Sequence, residues 1–193
     1  MPWDKQFDRD VVLDRAMQTF WKRGYTATSM QDLVDTMEIN RASIYATFGD
    51  KRSLFLASLR MFDTSVRLEV LSRLRRGRKP AAAIKALFES FMEQAMDGGF
   101  NRGCLITNTA LELAAHDPEV AGIVADAQME IEGFLKDRIQ AGQAAGDIPF
   151  ELDAGTTARG LLASLIGLMV LIRSRPEKAL LRSVVSEALG RLK

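Results

Sequence analysis

The polar residues best suited to chemistry lie between positions 28 and 51, and their types favour recognition of phosphates and base edges. Arg41 carries the one guanidinium in this stretch, and a guanidinium can form two parallel hydrogen bonds with guanine. Tyr45 adds a rigid ring with a terminal hydroxyl, which suits a phosphate at a groove edge. Thr28 and Lys51 lie near expected helix starts, where backbone N–H groups and the helix dipole attract an anion.

Two short helices joined by a tight turn would position these side chains. Ser29 is suited to cap the first helix, and Asn40 is suited to cap a second helix of about eight residues. Apolar side chains recur in the first helix at the spacing of one buried face: Met30, Leu33, Val34 and Met37. Two capped helices so close together, the second too short for a core helix, are typical of a helix-turn-helix. In that motif the second helix enters the major groove of DNA.

The second helix also carries apolar residues, so its faces need separate interpretations. Ile44 and Phe48 are expected in the core. Tyr45 lies between them in sequence. Its ring either contacts a phosphate or packs half-buried against the core.

The stretch GYTATSMQDLVDTMEINRASIYATFGDK resembles the DNA-binding head of the TetR family of bacterial repressors. The glycine–aromatic connector, the turn and the Tyr-x-x-Phe signature all occur at the expected offsets. The resemblance implies an all-α homodimer. Each subunit would have an N-terminal three-helix helix-turn-helix domain at 1–52 and a larger C-terminal helical domain for ligand binding and dimerisation at 53–193.

This resemblance implies roles for individual positions. It assigns four residues to phosphates: Thr28, Tyr45, Thr47 and Lys51. It assigns three residues to the floor of the groove: Arg41, Ala42 and Ser43. The implied partner is double-stranded operator DNA. In the family the final two long helices of each subunit form a four-helix dimer bundle, and a monomer core is the alternative role for these two helices.

One position departs from the family pattern. The turn residue that is usually glycine is Glu38, and a non-glycine residue at positive φ costs on the order of 1 kcal/mol. The first fifty residues also hold six Lys/Arg against eight Asp/Glu. These two observations leave open a second interpretation, a helical interaction module without sequence-specific DNA binding.

Charge is distributed unevenly along the chain. The formal net charge is +1, yet the stretch from Arg41 to Lys79 holds ten Lys/Arg and three Asp/Glu. Such a local positive field steers phosphates. The single cysteine excludes an intramolecular disulfide and, with no signal peptide, indicates a reducing cytoplasm.

Catalytic and metal chemistry have little support in the sequence. Paired carboxylates, a nucleophile–base set and a phosphate loop are all missing, so we expect neither an enzyme nor a cofactor. The single histidine, His116, directly precedes the helix start formed by Asp117 and Pro118. It is therefore expected in a loop rather than in a metal site.

A long helix is expected to connect the head to the body. It would begin at Lys51, capped by Asp50, and end in the basic run before Pro80. The most apolar stretch, 160–172, falls short of the roughly 20 residues that a membrane span needs. We expect that stretch to be buried on all sides, with no membrane partner.

The body is expected to bind an unknown small-molecule effector. The candidate ligand-binding residues are Phe88, Phe91, Met92, Met96, Cys104, Asn108, Met129, Phe134, Leu165 and Met169. Most are large, adaptable side chains that could surround an apolar cavity. Plain core packing is the alternative for each of them.

Cys104 supports a sharper hypothesis. It follows a glycine-rich loop at an expected helix start, where the dipole and nearby Arg102 would lower the pKa of its thiol. The stretch RGCLITN also resembles a subset of the family in which such a cysteine responds to electrophiles or oxidants. A buried, inert thiol is the alternative. Together these features predict a ligand-responsive transcriptional regulator, a repressor by family habit, released by a small apolar molecule or by an electrophile or oxidant.

Overall fold

The structure is a computed structural model that describes residues 7–96 and 102–193, with the side chains of residues 94–96 outside that description. Its regular elements are helices. In chain order they are α1 Arg9–Arg23, α2 Met30–Met37, α3 Arg41–Phe48, α4 Lys51–Phe62, a π-helical segment Asp63–Leu68, α5 Glu69–Arg75, α6 Pro80–Met96, α7 Leu105–Glu112, α8 Pro118–Ala145, α9 Ala154–Ser174 and α10 Lys178–Gly190. Most of the loop predicted over 97–103 lies outside the described residues.

Local capping fixes the first three helices where the sequence predicts them. The Ser29 hydroxyl accepts a hydrogen bond from the backbone N–H of Asp32, whose carboxylate accepts one from the Ser29 N–H. The Asn40 side chain accepts a hydrogen bond from the Ser43 N–H at 2.8 Å. The helices α1, α2 and α3 therefore form with the boundaries that a helix-turn-helix needs.

The turn between α2 and α3 adopts the left-handed conformation expected from the sequence. Glu38 has φ 58° and ψ 32°, and it is the one residue other than glycine with positive φ in the described chain. Arg15 of α1 supports this turn. Its Nη1 donates to the Met37 carbonyl at 3.2 Å and to the Glu38 carboxylate at 2.6 Å.

We expect Glu38→Gly to unfold with a free energy about 1 kcal/mol higher than that of Glu38→Ala, because only alanine carries a Cβ into the left-handed region. Both variants lack the ion pair with Arg15, so their difference isolates the backbone conformation. Urea denaturation of the two purified variants measures it. Equal stabilities would show that the turn carries no strain.

The predicted long helix after Asp50 is interrupted. Regular α-helix ends at Phe62, a π-helical segment runs from Asp63 to Leu68, and α-helix resumes as far as Arg75. The basic run before Pro80 therefore lies mostly beyond the helix end. A π-helical segment shifts the register of every later side chain, and such segments occur frequently at functional sites.

The helix α9 departs from the expectation that it is buried on all sides. It is longer than the predicted stretch 160–172, and by length and composition it could cross a membrane. Only 33% of its most apolar window is buried in the single chain. Leu165 and Leu168 face the core, whereas Leu162, Ile166 and Val170 stay partly exposed. An apolar helix face of this kind favours a further packing partner.

Polar contacts join the head to the body. The Glu112 carboxylate at the end of α7 accepts hydrogen bonds from the backbone N–H groups of Tyr25 at 3.1 Å and Thr26 at 2.7 Å. Arg52 forms a two-pronged pair with Asp117, with distances of 2.8 and 2.9 Å. Local sequence does not indicate this pair, because Asp117 lies 65 positions after Arg52 and approaches it only in the folded chain.

This ion pair predicts an acid-sensitive connection. The hydrogen bond from Arg52, together with backbone N–H donors at the start of α8, lowers the pKa of Asp117 from 3.8 to about 2. The folded-state pKa is depressed, so the pair contributes stability above about pH 4 and loses it as the pH falls towards 2.

We therefore expect Asp117→Asn, which keeps a capping side chain, to be less stable than the wild type by a constant amount above about pH 5. That deficit should shrink between pH 4 and pH 2 in urea unfolding curves. Arg52→Gln should show the same pH dependence, and the double variant should add nothing to it. A deficit that does not change with pH would rule out the ion pair as its source.

Candidate nucleic-acid interface and internal cavity

The helix α3 presents two different faces. Ile44 is fully buried and Phe48 is nearly so, as predicted. Arg41 and Tyr45 are exposed and lie four residues apart, hence on one outward face. Tyr45 is 48% exposed, so its ring lies on the surface rather than in the core. The outward face thus combines a guanidinium with a phenol hydroxyl.

The three other predicted residues of α3 differ in their exposure. Ala42 is exposed, and Ser43 is half-buried beside the helix start. Thr47 is half-buried as well, and its hydroxyl oxygen is buried without a hydrogen-bond partner in the described chain. The structure brings these three predicted residues together with Arg41 and Tyr45 on one short helix.

Two predicted phosphate residues lie outside α3. Thr28 is only 1% exposed, and its hydroxyl donates to the Gly24 carbonyl at 2.6 Å. This hydrogen bond holds the connector between α1 and α2, residues 24–28, so the arrangement does not fit the predicted phosphate contact. Lys51 begins α4, and its Nζ lies 4.3 Å from the centre of the Tyr25 ring. Burial lowers the pKa of Lys51, while Glu112 and Asp32 oppose that shift.

The body contains a narrow cavity of about 40 Å³. Four of the predicted ligand-binding residues line it: Phe91, Cys104, Leu165 and Met169. The other lining residues include Trp21 of α1, Phe62 of α4 and Arg67 of the π-helical segment. Sequence periodicity did not indicate Trp21 as a cavity residue, because Trp21 belongs to the head and its side chain reaches the body only in the folded chain.

Three predicted ligand-binding residues are placed elsewhere. Phe88 and Phe134 are fully buried, yet neither lines the cavity, so both belong to the packed core. Met129 is 60% exposed on the outer side of α8. None of the three lines this cavity, because residue type indicates burial but not the direction in which a side chain faces.

The other predicted residues also lie away from the cavity or cannot be placed. Met92 lines a separate surface groove between α6 and α10. Asn108 uses its amide Nδ2 to donate to the Arg102 carbonyl at 2.8 Å, so it holds the start of α7 in place. The side chain of Met96 lies outside the described residues.

The polar groups on the cavity wall are largely paired. Arg67 is buried, and it donates to Asp63 at 2.5 Å and to Glu130 at 3.3 Å. Burial opposes its charge, but the hydrogen bond to Asp63 and the two carboxylates raise the pKa of Arg67. The Thr107 hydroxyl donates to the Met169 sulfur at 3.3 Å. The cavity therefore suits a neutral, apolar molecule.

Metal ligation finds no support in the described ranges 7–96 and 102–193. No group of three or more His, Cys, Asp and Glu side chains there is arranged to hold an ion. His116 is exposed in the turn before α8, where the sequence places it.

Comparison with known proteins identifies the family. Residues 12–58 match the model of bacterial regulatory proteins of the tetR family, and residues 80–187 match that of the tetracyclin repressor-like C-terminal domain. The chain belongs to the TetR family. Members are transcriptional regulators rather than enzymes, which confirms the prediction for this chain. The division of this TetR-family chain at residue 52 stays a prediction.

Relatives of this TetR-family chain are similar over most of its length. An uncharacterised HTH-type transcriptional regulator of Bacillus subtilis, YezE, is 31% identical over 166 residues, which cover 86% of each chain. The HTH-type transcriptional repressor ComR of Escherichia coli is 28% identical over 170 residues, covering 88% of this chain and 81% of ComR.

A solved structure of a TetR-family regulator confirms the predicted fold class. A cysteine-substituted CifR, complexed with a 26-base-pair operator DNA, superposes with a TM-score of 0.84 at 28% identity. The match covers 98% of this chain and 99% of that one. The all-α architecture, with an N-terminal helix-turn-helix and a C-terminal helical domain, is therefore shared.

Cys104 lies at the predicted helix start, but the pKa of its thiol shifts the opposite way. The thiol is buried, and burial raises its pKa despite weaker opposing hydrogen bonds and the charge of Arg67. The expected influence of Arg102 is outweighed, because that guanidinium is directed to the Gln18 amide oxygen at 2.5 Å. The resting thiol is therefore a poor nucleophile.

We expect a small maleimide to label Cys104 more slowly at pH 7 than it labels free glutathione, because the thiol is both protonated and buried. Labelling in urea, where the chain is unfolded, provides the matched control and should match glutathione. A native-state rate above that of glutathione would show that the thiol is activated.

Proposed function

We propose that this regulator is a cytoplasmic repressor that binds operator DNA as a homodimer and is released by a small, neutral, apolar effector. The observation that carries the proposal is the outward face of α3. Arg41 and Tyr45 face solvent while Ile44 and Phe48 anchor the helix to the core. A short helix held in this way can enter a major groove with its first turn towards the bases.

The proposed interface divides its contacts between bases and phosphates. Arg41, Ala42 and Ser43 occupy the first turn of α3 and would contact base edges. Tyr45, Thr47 and Lys51 would contact phosphates along the groove edge. Thr28 is left out of this interface because its hydroxyl is committed to Gly24.

A homodimer would place two copies of α3 in successive major grooves. Half-sites on DNA lie about 34–36 Å apart, one helical turn, so a twofold assembly is needed to read both. Half-buried apolar side chains of α9 and α10 that do not line the cavity offer a surface for pairing: Val170, Leu171 and Val184. The relative ComR carries the name repressor, which supports that direction of control.

Release would follow from the cavity. In one conformation of the dimer the two heads fit the operator, and in another they are spread apart. An effector that binds the spread conformation more tightly shifts the population towards it. Operator affinity then falls by at most the effector's difference in affinity for the two conformations. The apolar wall and the paired charge of Arg67 favour a neutral effector. Cys104 lines the same cavity, so an electrophile that enters it is the second candidate.

Operator variants test the base contact. In gel shifts with the DNA that flanks its own gene, Arg41→Ala should lose about 1–3 kcal/mol of discrimination against a changed guanine.

Tyr45→Phe should weaken binding to the specific site and to random DNA by the same amount, about 1 kcal/mol, because a phosphate contact does not depend on sequence. Absence of any specific shift with the wild type would favour the helical interaction module instead.

Salt dependence tests the phosphate contact. Lys51→Ala should reduce the slope of log affinity against log salt by about 1, since one fewer phosphate is neutralised. Lys136→Ala removes the same charge from the exposed side of α8 and should leave the slope unchanged. If both variants keep the wild-type slope, Lys51 does not contact DNA.

A further inference from the structure

A tryptophan of the DNA-binding head forms part of the wall of the body cavity. Trp21 belongs to the last turns of α1, yet its indole lines the cavity together with residues of α6 to α9. Its Nε1 donates to the Gly103 carbonyl at 3.1 Å, just before α7. Its ring meets Phe62 edge to face at 4.9 Å, and the Arg102 guanidinium lies 5.7 Å from the ring centre.

The cavity must enlarge before it can hold an effector. Its volume of about 40 Å³ accommodates a few water molecules. Pockets for small molecules commonly measure about 300–1,000 Å³. Protein interiors are close-packed, so a ligand enters only if part of the wall moves as a unit.

The wall that yields most readily is the one contributed by the head. The body walls come from α6, α8 and α9, which pack on one another through fully buried side chains such as Leu87 and Leu165. The head packs on α4 through apolar rings, such as Phe20 on Phe55, but it meets α7 through hydrogen bonds, those of Trp21 with Gly103 and of the connector with Glu112. Such hydrogen bonds exchange with water at small net cost, whereas exposing buried apolar surface is costly.

We infer that Trp21 contacts the effector directly and is the part of the wall that an effector displaces. This inference rests on the proposed function, since it assigns the residue that couples the cavity to the DNA-binding head. Displacement breaks the Trp21–Gly103 hydrogen bond and moves α1 against α7. The helix α2 packs on α1, and α3 packs on α2, so the position of the recognition helix changes with α1.

The two tryptophans of the chain make the contact measurable. Trp3→Phe leaves Trp21 as the one remaining tryptophan, so the variant identifies the N–H resonance of the Trp21 indole. Toluene, which is neutral, apolar and unreactive towards thiols, serves as the probe. Toluene should shift the Trp21 indole N–H and the Met169 methyl, which reports from the body side of the cavity.

The two signals distinguish a probe that contacts Trp21 from a probe that fills the cavity without touching it. A Met169 shift without a Trp21 shift would overturn the inference, because the cavity would then fill without moving the head. Toluene that shifts neither signal would overturn it as well. The methyl signal of Met129, which is exposed on α8 outside the cavity lining, is the internal control and should not respond.

Operator affinity tests the coupling. Toluene should lower the operator affinity of the wild type at least fivefold, and that of Trp21→Leu less than twofold, because a smaller side chain admits the probe without displacement. Leu135→Met makes a volume-conserving change in the body core away from the cavity lining and should keep the wild-type response. Equal responses of Trp21→Leu and Leu135→Met would overturn the coupling.

Failure of the proposed function gives a different result. A protein that binds no operator DNA would refute the repressor, while the indole shift still decides whether Trp21 contacts the probe. The melting temperature of Trp21→Leu confirms that the variant is folded before its affinity is compared.

Discussion

The carboxylate of Glu112 holds the connector between α1 and α2 against the end of α7. It accepts hydrogen bonds from the consecutive N–H groups of Tyr25 and Thr26. Gly24 makes this approach possible, because a Cβ there would lie 2.8 Å from the Glu112 carboxylate and the backbone has φ 86°. The orientation of the head, and therefore of the recognition helix, depends on this contact between a body side chain and the head backbone.

The same helix α7 connects this contact to the cavity. Its first residues, with Cys104 before them, line the cavity, and its last residue is Glu112. On the opposite wall the π-helical segment carries Arg67, whose buried charge is held by Asp63 and Glu130. A buried arginine cannot lose its partners without a large penalty, so these ion pairs hold that part of the wall in place. The head-side wall is joined to α7 by the hydrogen bonds of Trp21 and of the connector, and it is the part that an effector would displace.

Much of the fold was predictable because its signals are local. Ser29, Asn40 and Asp117 cap helices by binding backbone N–H groups within three residues, so neighbouring sequence contains the whole interaction. Ile44 and Phe48 followed from periodicity for the same reason. The candidate site was predictable only in part. Of the predicted ligand-binding residues, Met129 lies on the surface outside the cavity, because a methionine on an amphipathic helix is equally compatible with its exposed side.

The sequence by itself determined where α2 and α3 begin and end, the left-handed turn at Glu38 and the residues that α3 offers to a groove, since each depends on contacts a few positions apart. The tertiary structure alone decided that Arg52 pairs with Asp117 and that Trp21 reaches the body cavity. It also decided that burial raises the pKa of the Cys104 thiol. These features join residues that are distant in sequence, and no local pattern encodes which distant surfaces meet or how deeply a side chain is buried there.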